Sequence, residues 1–340
     1  VFIAPAAWQT DWLHHPAYAV WAAVAQPLAK RDTWPDQAAL DSLFAHARQQ
    51  GCPLPARLRC VLDAEPDAYY ESHIASTGEV PTRSANWHDW FNALAWLAYP
   101  RLKTALNARH QAAMAAGEAR RGPIRDSATL LDECGILIPY AETAHAQAID
   151  QMRWSTLWLT HRADWGRVID AYPVGHALPE MLLAPFIGLT GKAWLLPVQT
   201  DFFSWPLAQR LVYLDQLAAD RLHQLDRPSR LAPLPILGIP GWHAGAQDAD
   251  ADDGEGQEVG QHHGDAVAFL HAQPLLQPRR ERAAEAVHLG EREALAKGVE
   301  GGALGIALHG LVEHVHDGGV RVGVDGFGNA VVAVGGEPGF

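Results

Sequence analysis

The last 96 residues of this 340-residue chain, Gly245 to Phe340, contain no Ser, Thr, Trp, Tyr, Cys or Met. The whole chain has only three cysteines, Cys52, Cys60 and Cys134, too few and too scattered for a disulfide framework or a thiolate metal site. Cationic excess is missing too. The formal charge is −13, whereas a general grip on nucleic acid or on an anionic membrane needs a basic surface. No run reaches the roughly 20 apolar residues of a membrane span. The nearest stretch, Ala171 to Gly191, is interrupted by Pro173, Pro179, Pro185, His176 and Glu180. The opening Val1-Phe2-Ile3-Ala4 has no cationic n-region, so no secretory signal is expected and the reducing cytoplasm is the expected compartment.

What is present divides at His243. All thirteen tryptophans and all seven tyrosines lie at or before Trp242, while nineteen of the thirty glycines lie from Gly245 onward. That last segment holds 16 acidic and 6 basic residues and so carries −10, leaving −3 for residues 1 to 244. The reading is one globular domain over residues 1 to 243, followed by a low-complexity Gly/Ala/Val/acidic tail over 244 to 340.

The tail is also biased at the level of the genetic code. Ninety of its 96 residues from Gly245 are types that codons beginning with G or C encode; the exceptions are Phe269, Lys297, Ile306, Phe327, Asn329 and Phe340. The first 96 residues of the chain hold 28 such exceptions. A GC-rich gene gives this bias when its GC-saturated third codon position is read as the first, so a frame slip just after Trp242-His243 is expected. The gene sequence should then show an intact alternative frame of ordinary composition past this point, and its absence would remove the idea. Under a slip, several motif-like features carry no selected function. They are His309, His314 and His316, the pair His262-His263, and the helix-like Glu281 to Lys297. The alternating Val320, Val322 and Val324, with a turn at Asp325-Gly326 and a partner at Val331, Val332 and Val334, belong with them.

Within residues 1 to 243 the periodicity is mostly helical. Asp36 to Gln50 keeps Leu40, Leu43, Phe44 and Ala47 at helical spacing and stops at Gly51 and Pro53. Gln147 to His161 reads as one helix with Trp154 and Trp158 stacked, and Trp205 to Gln224 as another. Arg57 to Asp63, Tyr69 to Ala75, Gly135 to Pro139, Val168 to Val174 and Lys192 to Val198 read as strands, and Pro179 to Ile187 as a short helix. Without regular βα alternation, the expected class is α+β, mainly helical with a few short strands.

The most informative region is Asn86-Trp87-His88-Asp89-Trp90-Phe91-Asn92. It starts a helix, with Asn86 or Ser84 as cap, whose apolar face is Trp87, Trp90, Phe91, Leu94 and Leu97. His88 and Asn92 then share the opposite side, one turn apart. Pro100 suits the first turn of a second helix, in which Lys103, Asn107 and His110 form one polar stripe. The tryptophans here are expected in the core.

These residues resemble the signature of a bacterial family catalogued as domain of unknown function 3025. The resemblance rests on Pro81-Thr82-Arg83, Asn86-Trp87-His88-Asp89, Phe91-Asn92-Ala93-Leu94, Trp96, Pro100-Arg101, Lys103 and Leu106-Asn107. Later blocks are similar too: Leu131-Asp132-Glu133 with Gly135, Gly175-His176-Ala177-Leu178, Gly188 to Lys192, and Leu234 to Trp242. It spans nearly all of residues 1 to 243. The chain departs from the family where the Ser-free tail replaces a short aromatic, proline-containing ending. The resemblance carries no activity, cofactor or residue role to this chain.

His88, Asp89, His110, Asp132 and Glu133 are the candidate catalytic residues, and Arg83, Asn92, Lys103, Asn107 and His176 the candidate substrate-binding ones. Together they offer nitrogen and oxygen ligands for zinc, manganese or magnesium, or a general base and an activated water. The basic residues Arg83, Arg101, Lys103 and Arg109 suit a small anionic substrate. The enzymatic reading is hydrolase-type or metal-assisted chemistry in a cleft between the two helices of residues 86 to 116, with His88 and His110 as base or ligands. No His-Glu-x-x-His or Cys-x-x-Cys motif occurs, and Gly188 to Lys192 fails the P-loop pattern because Ala193 replaces the Ser or Thr. The alternative is a non-catalytic scaffold or partner-binding domain whose polar stripes are bonded internally. Partner and oligomeric state are beyond the residues themselves.

Overall fold

A computed structural model describes residues 4–66, 69–116, 122–243, 320–324 and 330–334. The chain divides into two units, Ile3–Ala266 and a second made of Val1–Phe2 with Val267–Phe340. The first unit is mainly helical α+β. In order it contains α1 (Ala19–Ala25), α2 (Gln37–Gln49), β1 (Arg59–Leu62), α3 (Tyr70–Thr77), β2 (Glu79–Thr82), α4 (Trp87–Ala98), α5 (Pro100–Ala115) and α6 (Pro123–Cys134). Then follow β3 (Gly135–Tyr140), α7 (Thr143–Asp150), β4 (Tyr172–Pro173), α8 (Ala177–Leu182), β5 (Thr190–Pro197), α9 (Leu207–Arg221) and β6 (Ala232–Pro235). No helix among the described residues is long and apolar enough to cross a membrane.

Two sheets organise this unit. β1 and β2 form a parallel pair, and α3 is the crossover that parallel pairing requires. The alternation of Tyr70, Ser72 and Ile74 suggests a strand there, but the chain is helical. Only Ile74 is fully buried, and Gly78, in the left-handed region at φ 78°, closes the last turn by donating its N–H to the Ile74 carbonyl. The larger sheet runs β4-β3-β5-β6, with β3 parallel to β5 and the outer strands antiparallel. Its centre, β3, is buried along nearly its whole length, which explains why Gly-Ile-Leu-Ile-Pro reads as an apolar run rather than an alternation. The helix read from Gln147 to His161 is interrupted: Met152 adopts φ 52°, a left-handed conformation, between α7 and a π-type turn at Thr156–Thr160. Trp154 and Trp158 still stack, at 6.4 Å and 15°.

α4 forms the middle of the aromatic core. Every residue of it except His88 is buried, so its polar side chains need partners. Trp87 stacks on Trp8 at 5.2 Å, and Trp90 and Trp96 are buried as expected. Pro100 occupies the first turn of α5. The exposed amides of that turn are met from α9, where the buried Asp215 carboxylate accepts from the N–H groups of Arg101 (3.2 Å) and Leu102 (2.9 Å). Cys52, Cys60 and Cys134 are free thiols.

In the second unit the backbone of β7 (Val320–Val324) pairs antiparallel with β8 (Ala330–Val334), in a register running from Val320↔Val334 to Val324↔Ala330. This follows the alternation read from the valines. The helix-like Glu281 to Lys297 and the histidines at 262, 263, 309, 314 and 316 lie outside the described residues.

Candidate functional site

Three elements end at one place. Asn86 caps α4, its Oδ1 accepting from the Asp89 N–H at 3.0 Å, and the first turn carries His88 out of the core. Asp132 and Glu133 lie in the last turn of α6, just before β3. His176 follows β4, the antiparallel neighbour of β3, and its N–H donates to the Asp132 carbonyl at 3.0 Å. Gly175 makes this approach possible: a Cβ there would lie 2.4 Å from both the Glu133 carbonyl oxygen and the Gly135 nitrogen.

His88 Nε2 and His176 Nε2 are 3.0 Å apart, and Glu133 Oε2 lies 3.7 Å from the first and 3.6 Å from the second. Glu180, on α8, accepts from His88 Nδ1 at 3.1 Å, which directs the His88 Nε2 lone pair to the shared centre when the ring is neutral. The Nδ1 of His176 faces Asp132 Oδ2 at 3.9 Å. His176 is buried; Glu133 is the most exposed of the three, its side chain 38% accessible, so the cluster opens to solvent on that side.

The charges differ across the cluster. Burial pushes the His176 imidazole down to about 3, so it is neutral. Burial also works against charging His88, but the hydrogen bond it donates to Glu180 and the charge of Glu133 raise it above its ordinary value. The Glu133 carboxyl is raised, first by burial and then by Asp132 and Glu180.

Behind the cluster runs a continuous polar network. The ammonium of Lys103 donates to Asp132 Oδ1 at 2.5 Å and Asn92 Oδ1 at 2.9 Å, and sits 5.3 Å from the centre of the Trp96 ring. Asn92 donates in turn to the Tyr70 hydroxyl at 2.8 Å. Asn107 donates to the Glu71 carboxylate at 2.6 Å and to its carbonyl at 2.9 Å. Burial disfavours ionisation of Asp132, yet the charge of Lys103 holds its carboxyl below the ordinary range. A small cavity between α3, α5 and α6 is lined by Tyr70, Glu71, Trp96, Lys103, Asn107 and Asp132.

The residues singled out in the sequence thus fall into separate groups. His88, Glu133 and His176 converge, joined through Asp132 to Lys103 and Asn92. His88 meets His176 rather than His110, so the cluster lies between α4, α6 and the β4–α8 link instead of between α4 and α5. Asp89 is engaged by Arg83 through two side-chain bonds of 2.9 Å and a backbone bond of 2.6 Å. Of the other cations, Arg101 pairs with Asp215, and Arg109 donates to the Leu222 and Leu225 carbonyls.

A family model described as Protein of unknown function (DUF3025) matches residues 59–253. The chain belongs to the DUF3025 family. No curated protein and no solved structure matches it. The matched span of the DUF3025 domain contains every residue of the cluster and of the network behind it.

Sequence reading of the DUF3025 domain missed Glu180, Tyr70 and Glu71. Nothing local marks Glu180, which faces His88 across 92 positions of chain. The donor set of His88, His176 and Glu133 is what a divalent ion of the zinc class takes: three ligands around zinc at about 2.0–2.1 Å are separated by about 3.3 Å, close to the spacings found here. Two imidazole nitrogens favour zinc over magnesium, which prefers oxygen.

Proposed function

We propose that the DUF3025 domain binds one zinc-class divalent ion through His88, His176 and Glu133 and uses it in hydrolysis of a small anionic substrate. The convergence of these three ligand atoms within 3.7 Å, with a carboxylate behind His88, carries the reading. Catalytic zinc sites commonly have three protein ligands, one side left for water, and a carboxylate orienting a ligating histidine. Bound there, the ion would supply Lewis acidity and an ionisable water near neutral pH. Glu180 fixes the ring of His88, while Lys103 keeps Asp132 ionised beside His176. Arg83, paired with Asp89 but with its side chain 64% exposed, is a candidate cation for an anionic group. The three free cysteines fit a reducing, cytoplasmic setting.

The full-length chain, freed of metal and titrated with zinc, is expected to lose one equivalent on His88→Ala. Glu180→Ala should keep that equivalent but weaken it about 10–100-fold. A panel of small phosphate and carboxylate esters should then be hydrolysed by the wild type and not by His88→Ala. If His88→Ala binds as many equivalents as the wild type, the metal reading fails. The saturated network of Lys103, Asn92, Tyr70 and Asp132 would then support the scaffold reading.

A further inference from the structure

At the opposite end of β3 lies a second group of the same donor types. His145 on α7, His161 just after the π-type turn and Asp164 in a 3₁₀ turn bring one ligand atom each to within 4.8 Å of one another. Asp164 Oδ2 is 2.9 Å from His145 Nε2 and 2.8 Å from His161 Nδ1, and the two rings meet edge to face with centres 4.6 Å apart. The six residues of β3 separate this group from the first by about 20 Å of strand, so the two cannot share an ion.

We propose that His145, His161 and Asp164 form a second divalent-metal site, of the zinc class. The argument begins with His145, which is wholly buried. Its Nδ1 faces the Glu142 carbonyl at 3.2 Å and its Nε2 faces the Asp164 carboxylate. Both partners are acceptors, whereas a neutral imidazole has a single N–H. With that hydrogen on Nδ1, the usual arrangement of a metal-ligating histidine bonded to a backbone carbonyl, the Nε2 lone pair points at an anionic oxygen. A cation between them would meet both the lone pair and the carboxylate, and His161 Nδ1, 2.8 Å from the same carboxylate oxygen, supplies the third ligand.

The backbone around the group is independently suited to holding an ion. The His161 N–H bonds the Thr156 carbonyl at 2.9 Å, five residues back, and such π-type turns concentrate at functional sites because they re-aim a side chain. Asp164 is fixed from the other side, its carbonyl accepting from the N–H groups of Arg167 and Val168, both at 3.0 Å. Asp164 and His161 retain partial exposure, 37% and 24%, so an ion has a path in. Its mechanical role follows from position: it would clamp α7 to the turn preceding β4, beyond the far ends of β3 and β4, the strands that Glu133 and His176 flank.

The full-length chain tests this by zinc titration after metal removal, with cobalt(II) absorption as a second readout. His161→Ala is the variant of choice because that ring is partly exposed, and Asp164→Asn serves as the alternative should it fold poorly. Wild type is expected to bind two equivalents; His161→Ala should bind one, losing affinity at the second site by more than about 100-fold. It should also lose the rise in Tm that the second equivalent brings. If His161→Ala and Asp164→Asn both bind as many equivalents as the wild type, the group is an ordinary ion pair and the inference is overturned. The sites fail independently: a wild type that binds one equivalent, lost in His161→Ala but kept in His88→Ala, supports this inference and overturns the first site.

Discussion

Lys103→Met should destabilise the domain by about 3 kcal/mol, read as a drop in the urea midpoint followed by tryptophan fluorescence. The ammonium of Lys103 is buried and makes two hydrogen bonds, to Asp132 and Asn92. A methionine of similar length fills the same space and preserves packing against Trp96, so the loss isolates the charge. It leaves the Asp132 carboxylate largely buried without its cation, and an uncompensated buried charge is more destabilising than the intact pair is stabilising. Adding Asp132→Asn to Lys103→Met should therefore recover most of the loss, because a neutral amide is far easier to bury. A single variant within about 0.5 kcal/mol of wild type would show that water reaches Asp132 freely and that the pair is a surface one.

Much of the local structure is legible in the sequence because local rules set it. The start of α4 is visible in Asn86 and in the spacing of Trp87, Trp90, Phe91 and Leu94, and the start of α5 in Pro100. β3 is visible because a strand buried on both faces needs an unbroken apolar run. α3 is hidden since eight residues with one buried side chain fit either period. The interruption at Met152 is hidden because a left-handed methionine has no sequence signal; asparagine or glycine would have announced it. The site is half legible. His88, Asp132, Glu133 and His176 stand out as polar residues flanking apolar elements, but their meeting depends on β4 pairing with β3, a tertiary register that puts positions 88, 133 and 176 side by side. The basic cluster shows the opposite effect. Arg83, Arg101, Lys103 and Arg109 read as a patch in one dimension, while in three dimensions each has its own acceptor: Asp89, Asp215, Asp132 and two carbonyls.

Gly175→Ala should both destabilise the domain and disrupt the first site. The added Cβ would fall 2.4 Å from the Glu133 carbonyl oxygen and the Gly135 nitrogen, and 2.5 Å from the Cys134 nitrogen. All three are backbone atoms at the α6–β3 junction, so no side chain can rotate away. Either the link from β4 to α8 or the end of α6 must move, and each carries a ligand, His176 on one and Glu133 on the other. Overpacking of this kind costs about 3 kcal/mol or more, and the displacement should abolish zinc binding at the first site. Gly166→Ala supplies the contrast. Gly166 has φ 78° with no atom within 4 Å of the added Cβ, so it should lose only the cost of a left-handed alanine, about 1–2 kcal/mol. It should leave the first site's zinc affinity unchanged. Thermal unfolding and zinc titration of the two variants side by side check both statements. If Gly175→Ala retains the zinc affinity of the wild type, the close approach of these two backbones does not position His176 against Glu133.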